Sequence, residues 1–184
     1  GLGDVYKRQM QMNIHQTTRA VKESGMRAVI CRGLVGNGND EGGQMRLRQA
    51  YEERDAAKDC DRLTFLLGPH APYTCDDEFL KIVSDEAKKN GMGIHVHLSE
   101  SVSEIEQIQE KYGCTPIELA EKTGIFDVPA IAAHCVQVTD KDIDILKAPN
   151  VSVVTNPASN MKLGNGFAPI AKMMEKGVNV CLGT

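Results

Sequence analysis

The residues best equipped for chemistry sit in one short run, Gly93–Glu100, which reads GIHVHLSE. Val96 and Leu98 alternate with His95 and His97, so a strand of period two puts both imidazoles on one face. Glu100 follows just past the strand's end. A neutral imidazole can bind a divalent metal and a nearby carboxylate can move protons, which together are the raw material of metal-assisted hydrolysis. A second reading is open at this point: His95 and His97 as hydrogen-bonded core histidines, with Glu100 capping a helix whose first turn spans Ser99–Val102.

The bulk properties narrow the classes. At 184 residues and 41% hydrophobic content the chain is one ordinary domain, or part of a larger one, with enough apolar side chains for a real core. The net charge of -4 comes without a long basic run, which argues against nucleic acid. No apolar stretch is long enough to span a bilayer and no secretory start is seen, so a cytoplasmic protein is expected. Of the six cysteines, Cys31, Cys135 and Cys181 fall in or beside strand-like runs as small hydrophobes, and no C-x-x-C pair exists. A metal would have to be held by histidine and carboxylate.

The elements that must carry these residues alternate. The leader, residues 1–9 (GLGDVYKRQ), matches no period in the rest and is expected to be a non-native extension outside the fold, leaving 10–184 as the domain. An amphipathic helix is expected over Asn13–Ser24, then a strand Met26–Cys31, a Gly-rich acidic loop Gly33–Gly43 and a charged helix Gln44–Cys60. Strand Leu63–Leu67 and loop Gly68–Thr74 follow, then a helix capped by Asp76 or Asp77 and stopped at Gly91. Beyond Glu100 the pattern predicts helices Ser101–Tyr112 and Pro116–Thr123, strand Ala130–Ala133, helix Asp140–Leu146 and strand Val151–Thr155. Helix Ala168–Lys176 and strand Val178–Leu182 close the series.

Six apolar strands alternating with helices indicate an α/β protein with a parallel sheet. Polar groups follow four successive strands: His70, then His97 with Glu100, then His134, then Asn156–Asn160. Site residues delivered by the C-terminal ends of successive strands are the habit of (β/α)8 barrels, whereas an open sheet gathers them at one switch point. The expected fold is therefore a TIM barrel, incomplete, with about strands 3 to 8 present.

The ordered motifs GPHAPYTC, HVHLSE, AAHCVQVTDKDI and NPASNMKLGNGFAPI make the chain resemble the amidohydrolase superfamily. Within it, the resemblance is nearest to the 5-methylthioadenosine/S-adenosylhomocysteine deaminases and their triazine-hydrolase relatives, over about residues 10–184. It implies hydrolytic deamination of an adenosine derivative, with deamination or dechlorination of guanine or a triazine as the alternative; a reading from another class takes the chain by itself to be a non-catalytic binding or folding module, since it holds half of a site without a complete metal shell. It implies that His97 ligates the metal, that Glu100 shuttles protons, that His134 hydrogen-bonds the attacking hydroxide, and that His70 contacts substrate. The implied cofactor is a divalent ion, zinc first, with iron or manganese also admissible. The implied partner is a small heterocycle, with no nucleic acid or membrane, and a homo-oligomer is expected at full length. His95 has no role in the family and is expected to be an inward-facing, hydrogen-bonded histidine.

The chain departs from the family pattern in three places. The first-strand H-x-H pair and the last-strand Asp, both metal ligands in the family, are absent, which suggests an internal fragment. Arg32 matches a residue that meets the amino-acid tail of S-adenosylhomocysteine, and it is expected at the site mouth. Its usual partner position holds Gln44, with Arg46 two places on as a substitute; the competing reading pairs Arg32 with the acidic loop. The Asn156–Asn160 loop is expected to fix its own backbone, Met173 and Met174 to be core, and Gly164–Gly166 not to bind phosphate.

Overall fold

The computed structural model describes residues 6–11 and 14–183. Seven strands pair in parallel in the order of the chain: β1 (Tyr6–Gln11), β2 (Arg27–Leu34), β3 (Leu63–Pro69), β4 (Ile94–Leu98), β5 (Ala130–His134), β6 (Val151–Thr155) and β7 (Val180–Leu182). Helices return the chain between them: α1 (Ile14–Ser24), α2 (Glu41–Asp55), α3 (Asp77–Asn90), α4 (Val102–Tyr112), α5 (Pro116–Lys122), α6 (Asp140–Leu146), α7 (Pro157–Lys162) and α8 (Ile170–Glu175). Sequential parallel strands with helical crossovers make an incomplete (β/α)8 barrel, as the alternation predicts.

Strand alternation sorts each side chain to one of two faces. On the outer face, Leu34, Leu67, Ile94, Val96, Leu98, Ala130 and Ala132 join Phe79, Leu80 and Val83 of α3 and Ile108 of α4 in the main core. A smaller cluster packs Ile14 and Val21 of α1 on Ala28 and Ile30 of β2. On the inner face, Val29, Thr64, Ile131 and Ser152 line one common cavity. His95 and His97 share this inner parity, and His95 Nδ1 lies 3.5 Å from Cys31 Sγ. His95 is thus the inward-facing histidine that its spacing predicts.

The helix boundaries follow from their caps. Asp76 accepts from the Phe79 amide at 2.8 Å to start α3, and Gly91 ends it in the left-handed region at φ 60°. Thr115 and Glu118 form a reciprocal capping box on α5, and Thr139 and Asp142 form one on α6.

Several expectations are corrected. Residues 6–9 are not outside the fold: Tyr6–Gln11 is a strand in register with Arg27–Arg32 of β2, while residues 1–5 of the expected leader lie outside the described residues. Backbone N–H and C=O groups make that pairing, so a stretch without an apolar period can still form an edge strand. β2 runs three residues beyond Cys31, and α2 begins at Glu41 inside the expected loop because Asp40 caps it by accepting from the Gly43 amide. Asn156–Asn160 is largely helical rather than a loop, since Pro157 opens α7. Met173 is buried as expected, but Met174 is exposed.

Candidate active site

The C-terminal ends of β3, β4 and β5 bring His70, His97, Glu100 and His134 together. The His97 ring centroid lies 5.2 Å from that of His70 and 5.4 Å from that of His134. Glu100 Oε2 is 3.6 Å from His134 Nε2.

Getting His134 there requires a break in the strand pattern. It has the parity of Ala130 and Ala132, which face the helices, so plain alternation would point it outward. Instead His134 and Cys135 both take left-handed backbone, φ 72° and 47°, and the thiol of Cys135 takes the place in the outer core. Ser99, after β4, is left-handed too, at φ 51°. Non-glycine residues in this region cost on the order of 1 to 3 kcal/mol each and persist only where their surroundings hold them. Here the two turns lock together, for the Ser99 carbonyl accepts from the amides of Val136 and Gln137 at 2.9 and 2.8 Å.

The three histidines share one tautomer. His97 Nδ1 donates to the His70 carbonyl at 2.8 Å. His134 Nδ1 donates to Asn160 Oδ1 at 2.8 Å. His70 Nδ1 is 2.9 Å from Thr74 Oγ1, and that hydroxyl spends its only hydrogen on the Ala71 carbonyl, so the imidazole must be the donor. In the neutral ring each Nε2 then keeps its lone pair. Burial lowers the pKa of His97 to about 4 and that of His70 below its usual value, so both stay neutral at pH 7.

His97 therefore has the chemistry of a metal ligand: a neutral ring, its Nδ1 proton anchored on a backbone carbonyl, its Nε2 free to donate. Among the described residues no group of three or more His, Cys, Asp or Glu side chains could hold a metal. The described part of the chain fits a divalent ion as the source of one ligand, not of a whole shell.

Glu100 is oriented from the far side. Its Oε1 accepts from Asn165 Nδ2 at 3.2 Å, leaving Oε2 to face His134. A carboxylate oxygen and the Nε2 of a neutral imidazole are both acceptors, so the pair together suits a molecule that brings hydrogen, such as water or a ring N–H.

The two arginines are placed elsewhere. Arg32 shares the outward parity of Ala28 and Ile30; its guanidinium donates to Glu53 Oε1 at 2.5 Å and Gln49 Oε1 at 2.7 Å, both on α2. It is not at the site mouth, and its carboxylate partner is Glu53 rather than the acidic loop. Arg46 donates to the Val35 carbonyl at 3.3 Å. Neither guanidinium makes a contact with the histidine cluster among its hydrogen bonds and ion pairs.

Two asparagines hold site residues in a way the sequence does not announce, although Asn160 lies in one of the polar groups that follow the strands. Asn160, 1% exposed, holds His134 rather than its own loop, and Asn165 holds Glu100. Both lie within NPASNMKLGNG, where side-chain amides serve turns so commonly that their reach across the barrel mouth leaves no local signal.

The amidohydrolase family model matches residues 2–184. The chain is 45% identical over 177 residues to the 5-methylthioadenosine/S-adenosylhomocysteine deaminase of Caldanaerobacter subterraneus subsp. tengcongensis, covering 95% of this chain and 41% of the relative. It is 41% identical over 180 residues to the 5'-deoxyadenosine deaminase of Methanothermobacter thermautotrophicus, covering 95% of this chain and 42% of the relative. Among solved structures, an adenosine deaminase from Xanthomonas campestris with bound zinc superposes with a TM-score of 0.83 at 28% identity, over 91% of this chain and 38% of the other. The chain spans about two fifths of the length of the curated relatives it matches.

Proposed function

Because the chain belongs to the amidohydrolase family, we propose that it carries the proton-transfer half of a metal-dependent deaminase acting on an adenosine derivative. The observation that carries this reading is the convergence of His70, His97, Glu100 and His134 at the ends of β3, β4 and β5, with every imidazole proton parked on Nδ1. That arrangement offers one metal ligand, one acceptor for a water hydrogen and one carboxylate proton carrier at the C-terminal ends of three neighbouring strands.

His97 would hold the ion through Nε2, and zinc is the ion expected from the relatives' chemistry. A divalent cation bound there supplies Lewis acidity, bringing the pKa of water toward neutrality. His134 accepts a hydrogen bond from the attacking oxygen through Nε2 and so aims it at the ring carbon that bears the amino group. Glu100, with Oε1 tied to Asn165, uses Oε2 to take a proton from the attacking water and pass it to the ring nitrogen as the oxygen adds, and then carries the proton of the newly added hydroxyl to the departing amine. The amino group leaves as ammonia and oxygen takes its place. His70 presents Nε2 as an acceptor for a substrate N–H or O–H.

The substrate class proposed is 5'-substituted adenosines: 5-methylthioadenosine, S-adenosylhomocysteine, 5'-deoxyadenosine or adenosine. The protein is proposed to work in the cytoplasm as a homo-oligomer, without nucleic-acid or membrane partners; among the described residues no helix is long and apolar enough to cross a membrane. The test uses a protein carrying this chain at its relatives' full length. Ammonia release from these nucleosides is expected to depend on zinc and to be lost with the metal in His97→Ala. Turnover of guanine or a triazine, with none of any adenosine derivative, would overturn the substrate class.

A further inference from the structure

Glu104 is buried to 1% exposure beside the catalytic turn, in the first turn of α4, with no role in the chemistry above. Its carboxylate accepts two backbone amides: Ser99 N–H on Oε1 at 3.0 Å and Glu100 N–H on Oε2 at 2.8 Å. These are successive amides of the left-handed turn that carries Glu100 into the site. A charge-assisted pair of this kind contributes more than neutral hydrogen bonds and fixes direction, since both oxygens are engaged. The Ser99 side chain offers the turn nothing in return, for its buried Oγ has no hydrogen-bond partner.

The contacts close into a ring. Glu104 holds the Glu100 amide; the Glu100 carboxylate accepts from Asn165; the Asn165 carbonyl accepts from Gln137 Nε2 at 2.7 Å; and the Gln137 amide returns to the Ser99 carbonyl. Every member is tied to a residue on either side, so the Glu100 carboxylate is held at its backbone and at one oxygen while the other stays free.

We propose that Glu104 is a positioning residue for the reaction: by clamping the strained Ser99–Glu100 turn it sets the aim of the Glu100 proton carrier. The inference rests on the reading of Glu100 as that carrier. A residue needed only to cap α4 would act on stability alone, whereas a clamp on the turn acts on kcat and on the amides it holds.

The test compares Glu104→Gln with wild type in the full-length holoenzyme, by site-resolved amide hydrogen exchange and by turnover of adenosine against 6-chloropurine riboside. Chloride leaves without a proton, so that analogue depends less on Glu100. In the variant, exchange at Ser99 and Glu100 is expected to quicken by about tenfold or more with zinc content unchanged. For adenosine kcat should fall by about ten- to a hundredfold with KM little altered, and by less for the chloro analogue. Adding Ser99→Gly, which takes a positive φ without strain and sacrifices no hydrogen bond, should recover part of kcat. Unchanged protection of both amides, equal losses on both substrates, or no recovery in the double variant would overturn the proposal. If the wild-type protein deaminates no purine, the functional reading fails, and amide exchange still decides whether Glu104 holds the turn.

Discussion

Arg32 on β2 and His134 on β5 pose the same geometric problem and solve it in opposite ways. Both have the parity that points toward the helices. Arg32 obeys it, and its guanidinium is consumed by Glu53 and Gln49 of α2. His134 escapes it through two consecutive left-handed residues, and its ring reaches His97 and Glu100. The contrast teaches that a polar residue at a strand's end becomes part of a barrel site through parity or through a backbone irregularity that overrides parity. Residue type alone does not decide.

The largest effect expected from this contrast is on stability at the β2–α2 side. Arg32 and Glu53 are both largely buried, at 14% and 5% side-chain exposure, and removing one leaves the other charge without compensation. Arg32→Ala should cost about 3 to 5 kcal/mol of stability, read from chemical denaturation, while KM for an uncharged nucleoside stays within a factor of about two. A change in KM with no loss of stability would return Arg32 to the site.

Each side of the comparison also buries one glutamate. Glu53 has a guanidinium partner, whereas Glu104 has only backbone amides, and burial raises its pKa to about 7. A carboxyl group whose folded pKa lies above its unfolded value of about 4.5 binds more protons folded than unfolded between those two pH values. Stability therefore falls as pH rises from about 4.5 to 7, by up to about 3 kcal/mol, and levels off above. Glu104→Gln should shrink the difference in stability measured at pH 5 and at pH 8. An unchanged difference would show that Glu104 does not titrate in that range.

At the site itself, Glu100→Gln should leave zinc content intact and lower kcat by about a hundredfold or more, equivalent to about 2.7 kcal/mol. Near wild-type turnover on every purine tested would move the proton carrier elsewhere.

How much of this is legible in the sequence depends on which rule places each residue. Strand β4 is readable because alternation governs it throughout: Val96 and Leu98 go to the core and His97 to the site. The same rule, applied to Ala28, Ile30 and Arg32 along β2, sends Arg32 outward; its place near the end of the strand suggests the mouth, but parity decides where its guanidinium goes. His134 shows the converse, since alternation alone points it outward while its ring lies beside His97 and Glu100. Glu104 reads as an ordinary N-terminal helix residue, three positions after the Ser101 cap. Its second role depends on the left-handed turn at Ser99, which no local pattern announces.

The smallest effect expected concerns the substrate's tail, and it follows from where the arginines went. A carboxylate held by two guanidiniums gains charge-assisted hydrogen bonds of about 1.5 to 3 kcal/mol each. Here Arg32 is spent on Glu53, residue 44 is a glutamine with no charge to offer, and Arg46 donates to the Val35 carbonyl. S-adenosylhomocysteine therefore lacks its anchor and should hold less than about a tenfold advantage, 1.4 kcal/mol, over 5-methylthioadenosine or 5'-deoxyadenosine. The measurement is kcat/KM for the three nucleosides in the full-length enzyme, with Gln44→Arg expected to raise the value for S-adenosylhomocysteine alone. A wild-type preference for that substrate of a hundredfold, abolished by Arg46→Ala, would mean that Arg46 leaves Val35 to take the carboxylate when substrate binds.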